Sequence, residues 1–509
     1  MDFGKFRHFL LFCNFAFAAS PLLFTTFYAS MTVNIKSVRF FMIKSKKFEW
    51  ALYIATGLLM LLLLVSHTYN DILVTVRHGL NFWDNLLDGQ ILQFYNLNKV
   101  ESGNIYYPGF QGCAYNILVY IIFAIWNLPL YLLERFGGVD VMNNVACLTY
   151  SKLMLVAGVM VSVWVLNRIL TTLDVPQKAR KLLLYVYTSS TLMLSVIFIS
   201  SQYDILSIIF QLLGIHAFIK KDDKRFIFWF GVAFCFKFFS FFTFLPLLLI
   251  HRKRIFALLK SIAMMAIPWF LTRLPFWISS LVSSTGIASV SRGEIMASTR
   301  FLKTMSSATL GENINLFVMI YALLAVWCYL RDRDSKNSAF EAIFVSLVTF
   351  AAFSGTMNTL AYWPILVAPY IVLAMAIAPK YIYLNLILET VGMAALVLKN
   401  MVISPWCYFD DTLKSMIWPH ILKGTSYTIG SQDGMLAKVL LFLAEPSVPG
   451  SIISFFIAAM SIMTYITYYR NSLPNLKQWD RAERCEDILF IRLGVTAVVC
   501  LLPILKIFI

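Results

Sequence analysis

Three short polar stretches, each at the edge of an apolar run, hold the side chains best placed to do chemistry. The first is Thr68-Tyr69-Asn70-Asp71, followed by Arg77-His78, Trp83-Asp84, Asp88-Gly89 and Tyr95, and it runs on to Tyr106-Tyr107-Pro108-Gly109. A carboxylate at a lipid–water boundary is partly desolvated, which makes it a stronger base. Asp71 is therefore a candidate general base; an acid that merely solvates a helix end is the other reading of the same position. The second stretch is Ser201-Gln202-Tyr203-Asp204. An Asp that opens an apolar segment is costly unless it caps the helix or is paired. Asp204 thus caps 204–220, takes part in a binding site, or does both. The third stretch is Phe236-Lys237-Phe238-Phe239-Ser240, followed by Leu245-Pro246. A Lys between apolar runs either snorkels to the interface or faces a cavity or a partner.

The elements that must position these groups follow from composition. Hydrophobic residues fill 60% of the 509 positions and charged residues only 13%. So little charge cannot cover a surface facing water, so the missing solvent is lipid. The apolar runs are roughly 17 to 25 residues long, the length that crosses a hydrocarbon core of about 30 Å. Helices satisfy their own backbone there, and the alternating segments of about 10 residues that mark a membrane barrel do not occur. The expectation is an all-α, polytopic integral membrane protein of about 11–14 transmembrane or re-entrant helices.

The net charge of +16 is not a nucleic-acid footprint. The links 36–47, 175–182, 220–225, 251–254, 331–336 and 470–484 hold 22 of the 42 Lys and Arg in 51 residues. The segment 69–112 has two basic residues, Arg77 and Lys99, against the four acids Asp71, Asp84, Asp88 and Glu101. That is the positive-inside asymmetry, and it places the basic links in the cytoplasm. The eight cysteines show no zinc spacing. Cys113, Cys147 and Cys407 are expected outside, where a disulfide is open to them, beside the reading as buried single thiols. Residues 9–33, behind Lys5 and Arg7, read as a signal-like segment, an extra helix, or leader upstream of a start at Met31.

Holding every basic link inside decides two doubtful segments. The first secure span is about 48–68; if 113–133 also crossed, Lys178-Ala179-Arg180-Lys181 would fall outside. Laying 113–133, interrupted by Pro129, on the outer leaflet makes 69–149 one long exoplasmic loop with amphipathic helices. Likewise 226–250 has basic clusters at both ends, so it reads as two short helices forming a re-entrant hairpin with its tip near Lys237, or else as one span with a charge violation. Spans at 150–171, 183–200, 204–220, 255–278, 313–330, 339–357, 363–378, 382–402, 451–469 and 488–508 then alternate without conflict. The chain divides into an N-terminal segment and basic link (1–47), a membrane module carrying the candidate residues (48–278), and a second module (279–509) with exoplasmic loops 279–312 and 403–450.

Asp71-Ile-Leu-Val-Thr-Val-Arg77-His78, in its loop, is similar to the Asp-x-x-x-x-x-Arg-His stretch of the GT-C glycosyltransferases, polytopic enzymes that take sugars from polyprenyl-phosphate carriers. The dolichyl-phosphate-dependent glucosyl- and mannosyltransferases are the relatives it resembles. Tyr107-Pro108-Gly109 stands where they usually have Tyr-Pro-Pro, and Ser201-Gln202-Tyr203-Asp204 where they have Gly-Gln-x-Asp or Phe-Gln-Tyr-Asn. Phe236-Lys237-Phe238 stands at their Lys-Pro, and Asn358 and Tyr362-Trp363-Pro364 resemble an aromatic turn near their carrier site. The resemblance implies inverting transfer of a hexose from a polyprenyl-phosphate donor to an exoplasmic acceptor, a lipid-linked glycan, polysaccharide or protein. It implies Asp71 as base, with Arg77, His78, Tyr107, Gln202 and Asp204 around the substrate. Lys237, Arg273, Arg292 and Arg300 are the candidate cations for the donor phosphate, the last two on the Ser- and Thr-rich loop 279–312, a candidate lid. No metal cluster is visible and no cofactor is implied.

Two other readings stay open. A transporter or flippase of lipid-linked sugars would need ionisable groups inside central spans, where Lys237 and Glu389 are the exceptions. An O-antigen ligase or polymerase type depends on a late loop rich in Arg and His, whereas 403–450 has His420, Lys414, Lys423 and Asp410-Asp411 but no Arg. The expected partners are the lipid-linked donor, a glycan or lipid-linked acceptor and membrane lipid, with no nucleic acid. The expected membrane is a bacterial inner membrane, with cell-envelope glycan as product and the active site facing outward.

Overall fold

The computed structural model describes residues 46–98, 112–282, 315–331, 337–357, 359–408, 413–415, 442, 445, 447–471, 479 and 485–505. The segments 9–33 and 283–312, and most of 403–450, lie outside the described residues. The described residues are helical nearly throughout, and the protein is a multi-pass integral membrane protein. Seven described helices are long and apolar enough to cross a membrane; two further helix pairs, each bent at a short break, and four shorter apolar helices accompany them. Whole helix faces of large apolar side chains stay uncovered, as at Trp50, Ile54, Leu58 and Leu61, or Phe256, Leu271 and Val282. In water such faces would aggregate; in a bilayer they are the lipid contact.

Helix α1 (Lys46–Ser66) is followed by a three-residue strand β1 (His67–Tyr69) and the amphipathic helix α2 (Asn70–Leu87). Next come α3 (Ile117–Trp126) and α4 (Leu128–Gly137), which meet at 65°. The break has a local cause. Pro129 lies in the first turn of α4 and has no N–H to continue the ladder from α3, while proline suits a helix start. Gly138, at φ +64°, ends α4 in the left-handed conformation that glycine adopts without strain. Then α5 (Val145–Thr172) is capped by Asn144, whose side chain accepts from the amides of Ala146 and Cys147. After it, α6 (Gln177–Thr188) bends by 46° into α7 (Thr191–Leu194), whose last turn, Ser195–Ile199, is π-helical.

Helices α8 (Ile205–Ile219), α9 (Asp223–Phe236) and α10 (Ser240–His251) fold back on one another in turn. Gly214 of α8 packs on the Phe230 ring of α9. At the other pairing, Asp223 at the start of α9 meets His251 at 2.9 Å and Arg252 at 2.7 Å at the end of α10. Phe226 stacks on Phe244 between them, 5.1 Å apart. Lys237 sits at the break between α9 and α10, so the basic clusters 220–225 and 251–254 end on one side of the bundle. A helix of 14 residues spans about 21 Å, less than a hydrocarbon core. The long α11 (Ile255–Val282) runs so close to α9 that a Cβ at Gly231 would lie 2.5 Å from the Met265 carbonyl.

The remaining helices are α12 (Leu316–Leu330), α13 (Ser338–Thr356), α14 (Ala368–Ile377), α15 (Ile382–Ile403), α16 (Ser447–Asn471) and α17 (Glu486–Leu505). A short strand β2 (Leu413–Ser415) pairs antiparallel with β1, His67 opposite Ser415. Inside this half a buried charge network ties three helices together. Arg492 of α17 holds both carboxylate oxygens of Glu389 on α15, at 2.6 and 2.9 Å, and donates to Ser189 Oγ and the Val186 carbonyl of α6, each at 2.7 Å. All seven cysteines among the described residues are buried, and none of them forms a disulfide among those residues.

The charge asymmetry predicts the sidedness. Single cysteines at Arg135, at the end of α4, and Arg180, at the start of α6, are expected to react with a membrane-impermeant maleimide from opposite faces of sealed vesicles. Labelling of both from one face would overturn that topology.

Candidate functional site

Asp71 lies in the first turn of α2, where the helix N-terminus favours a negative charge. Its Oδ2 accepts hydrogen bonds from Gln202 Nε2 at 3.0 Å and from the Tyr362 hydroxyl at 3.3 Å. Its Oδ1 accepts none among the described residues. Gln202 and Tyr362 come from turns 131 and 291 residues further along the chain, so the contact is a tertiary one. The turn that delivers Gln202 is tight. Ser201 has φ +48°, in the left-handed region that favours glycine.

Asp204 occupies the N-cap position of α8 but makes no capping bond. Its carboxylate instead faces Lys237, whose Nζ lies 3.0 Å from Oδ1; Asp204 is buried and the Lys237 side chain is 10% exposed. Lys237 therefore does not snorkel. Its ammonium is ringed by three tyrosines, 5.2 Å from the Tyr115 centroid, 5.8 Å from Tyr203 and 5.6 Å from Tyr362, the geometry in which a ring face attracts a cation. Tyr362 links the two pairs, donating to Asp71 Oδ2 while its ring lies beside the Lys237 ammonium. The result is a polar cluster built from four segments: the start of α2, the turns before α8 and after α13, and the α9–α10 break.

Arg77 and His78 share α2 with Asp71 but face other neighbours. Arg77 makes a bidentate pair with Glu134 of α4, at 2.6 and 3.0 Å. His78 is buried among Phe94 and Tyr120, ring centroids 6.5 and 5.6 Å away. Both hold the first loop together, with Trp83 Nε1 donating to the Ala124 carbonyl at 2.9 Å and Tyr131 and Arg135 meeting Asp84 at 2.8 and 2.9 Å. Burial raises the pKa of Asp84, and the Tyr131 hydrogen bond and the Arg135 charge oppose it. Arg273 is fully buried with its guanidinium 5.0 Å over Tyr95, whose hydroxyl donates to the carbonyl of Tyr115, one of the three tyrosines around Lys237. Tyr107, Arg292, Arg300 and Asn358 lie outside the described residues. Sequence reasoning passed over Tyr115 and Tyr203; a Tyr before a helix-capping Asn and one inside a motif were the available signals.

His67, four residues before Asp71, is wholly buried, and neither ring nitrogen has a hydrogen-bond partner among the described residues.

The chain matches no protein-family model, no curated protein and no solved structure.

Proposed function

We propose that this protein is a membrane glycosyltransferase that moves a hexose from a polyprenyl-phosphate carrier to an acceptor hydroxyl on the exoplasmic side, with inversion and with Asp71 as base. The observation that carries the reading is convergence. Asp71, Gln202, Asp204 and Lys237 belong to three separate motif stretches, and their side chains meet in one polar site.

In this reading Gln202 and Tyr362 occupy Asp71 Oδ2 and orient the carboxylate, leaving Oδ1 for the acceptor. The acceptor oxygen gives its proton to Oδ1 and attacks the anomeric carbon. The bond from that carbon to the phosphate oxygen breaks, and the phosphate leaves with the electron pair. A phosphate is already a good leaving group, so cations suffice to hold its growing charge. Lys237 has three N–H donors and spends one on Asp204. Arg273, Arg292 and Arg300 remain the other candidates. The active site would face outward from a bacterial inner membrane.

A second reading has one observation in its favour: a buried Asp–Lys pair is also a charge couple on which a transporter can work. The test is incubation of the purified protein in nanodiscs with a panel of radiolabelled polyprenyl-phosphate hexoses and lipid-linked or glycan acceptors. Label in a new glycoside of inverted anomeric configuration is the expected result. Consumption of no donor defeats the proposal, and label that only changes leaflet in proteoliposomes supports the transporter.

A further inference from the structure

Lys152 lies in the second turn of the long helix α5 and is completely buried. No carboxylate pairs with it among the described residues. Its ammonium donates to three backbone carbonyls instead: Leu64 at 2.7 Å, Phe198 at 3.0 Å, and His67. An ammonium has three N–H donors, so this set uses all of them and leaves none for a ligand.

The three carbonyls belong to two chain ends. Leu64 is in the last turn of α1, just before the chain becomes extended at His67. Phe198 is in the π-helical turn Ser195–Ile199 that closes α7. The last carbonyls of a helix lack intrahelical partners and carry the negative end of its dipole. Two such ends meeting in an apolar interior would repel each other and leave acceptors unmatched; a buried cation between them answers both problems.

The residues just beyond each end give the clamp its importance. Asp71 is four residues beyond His67, and Gln202 is four residues beyond Phe198. Those two side chains join at 3.0 Å. We infer that Lys152 is a positioning residue: by clamping the two backbone ends together it fixes where Asp71 and Gln202 meet, and hence the direction in which the Asp71 carboxylate points. The clamp is a property of the fold, and its effect on rate rests on the glycosyltransferase reading.

The test has two arms. Hydrogen exchange is measured by mass spectrometry on full-length protein in nanodiscs, for wild type, Lys152→Met and Lys152→Gln, the last keeping N–H donors should the Met variant fail to fold. Amides in 66–72 and 199–205 are expected to exchange at least about tenfold faster, while 382–403 and 486–505 keep their protection. Unchanged exchange in both segments, or faster exchange spread evenly over all helices, overturns the proposal. In the transfer assay kcat is expected to fall about a hundredfold with KM within about twofold, the pattern of a misdirected base rather than lost binding. The arms separate the two ideas. Localised exchange in a protein whose Asp71→Asn variant transfers normally leaves the clamp standing and removes Asp71 as the base. Unchanged exchange beside an inactive Asp71→Asn does the reverse.

Discussion

Asp71→Asn is expected to lower sugar transfer by about a thousandfold in kcat, within the range set by loss of a positioned general base. The substitution is nearly isosteric. The oxygen of the new side-chain amide can still accept from Gln202 and Tyr362, so the site keeps its shape while losing the oxygen that takes the proton. KM should therefore change little, because the acceptor still binds where it did. Radiolabelled transfer measured beside an elution profile identical to wild type checks both halves of the statement. Full activity in this variant would reduce Asp71 to the polar end of a helix. Loss of activity together with loss of folding would be uninformative about chemistry, and for that reason Asn is preferred over Ala.

The largest effect on stability is expected from breaking the Glu389–Arg492 pair on one side only. Arg492→Met removes the partner of a carboxylate that is almost fully buried and also strips Ser189 Oγ and the Val186 carbonyl of their donor. Breaking a buried pair by removing one member costs about 3–5 kcal/mol, because an uncompensated charge stays inside. The single variant should be depleted in membranes and aggregate on extraction. Arg492→Met combined with Glu389→Leu should recover most of the loss, since apolar replacements of a whole pair are often near neutral. Fluorescence-detected size exclusion after heating gives the comparison. A single variant as heat-resistant as wild type would show that the network contributes nothing.

Much of this architecture is legible in the sequence because a bilayer imposes simple lengths and sidedness. Asp71, Gln202, Asp204 and Lys237 stand out because each interrupts or borders an apolar run. Arg77 and His78 group with Asp71 by motif, and helical geometry explains why they part. Six residues rotate a side chain by about 240°, turning Arg77 toward Glu134; seven bring His78 back to the same face but about 10 Å along the axis. Lys152 and Arg492 escape notice for the opposite reason. Each is a single charge inside a run whose apolar majority defines the span, and what gives it meaning is a partner far away in sequence: 103 residues for Glu389, and 46 to 88 for the three carbonyls. Composition near a residue carries no trace of such partners.

The Glu389 network also imposes an order on how the protein comes into being. Helices enter the membrane as they leave the ribosome, and Glu389 is made 103 residues before the arginine that neutralises it. At roughly 5–20 residues per second that is an interval of about 5 to 20 seconds. Through it α15 waits with its acid unanswered. Only the arrival of α17 completes the bundle. A ribosome that stops short of residue 492 releases a chain with nearly every span in place and its interior charge exposed, which is the kind of product a cell's membrane quality control is built to find.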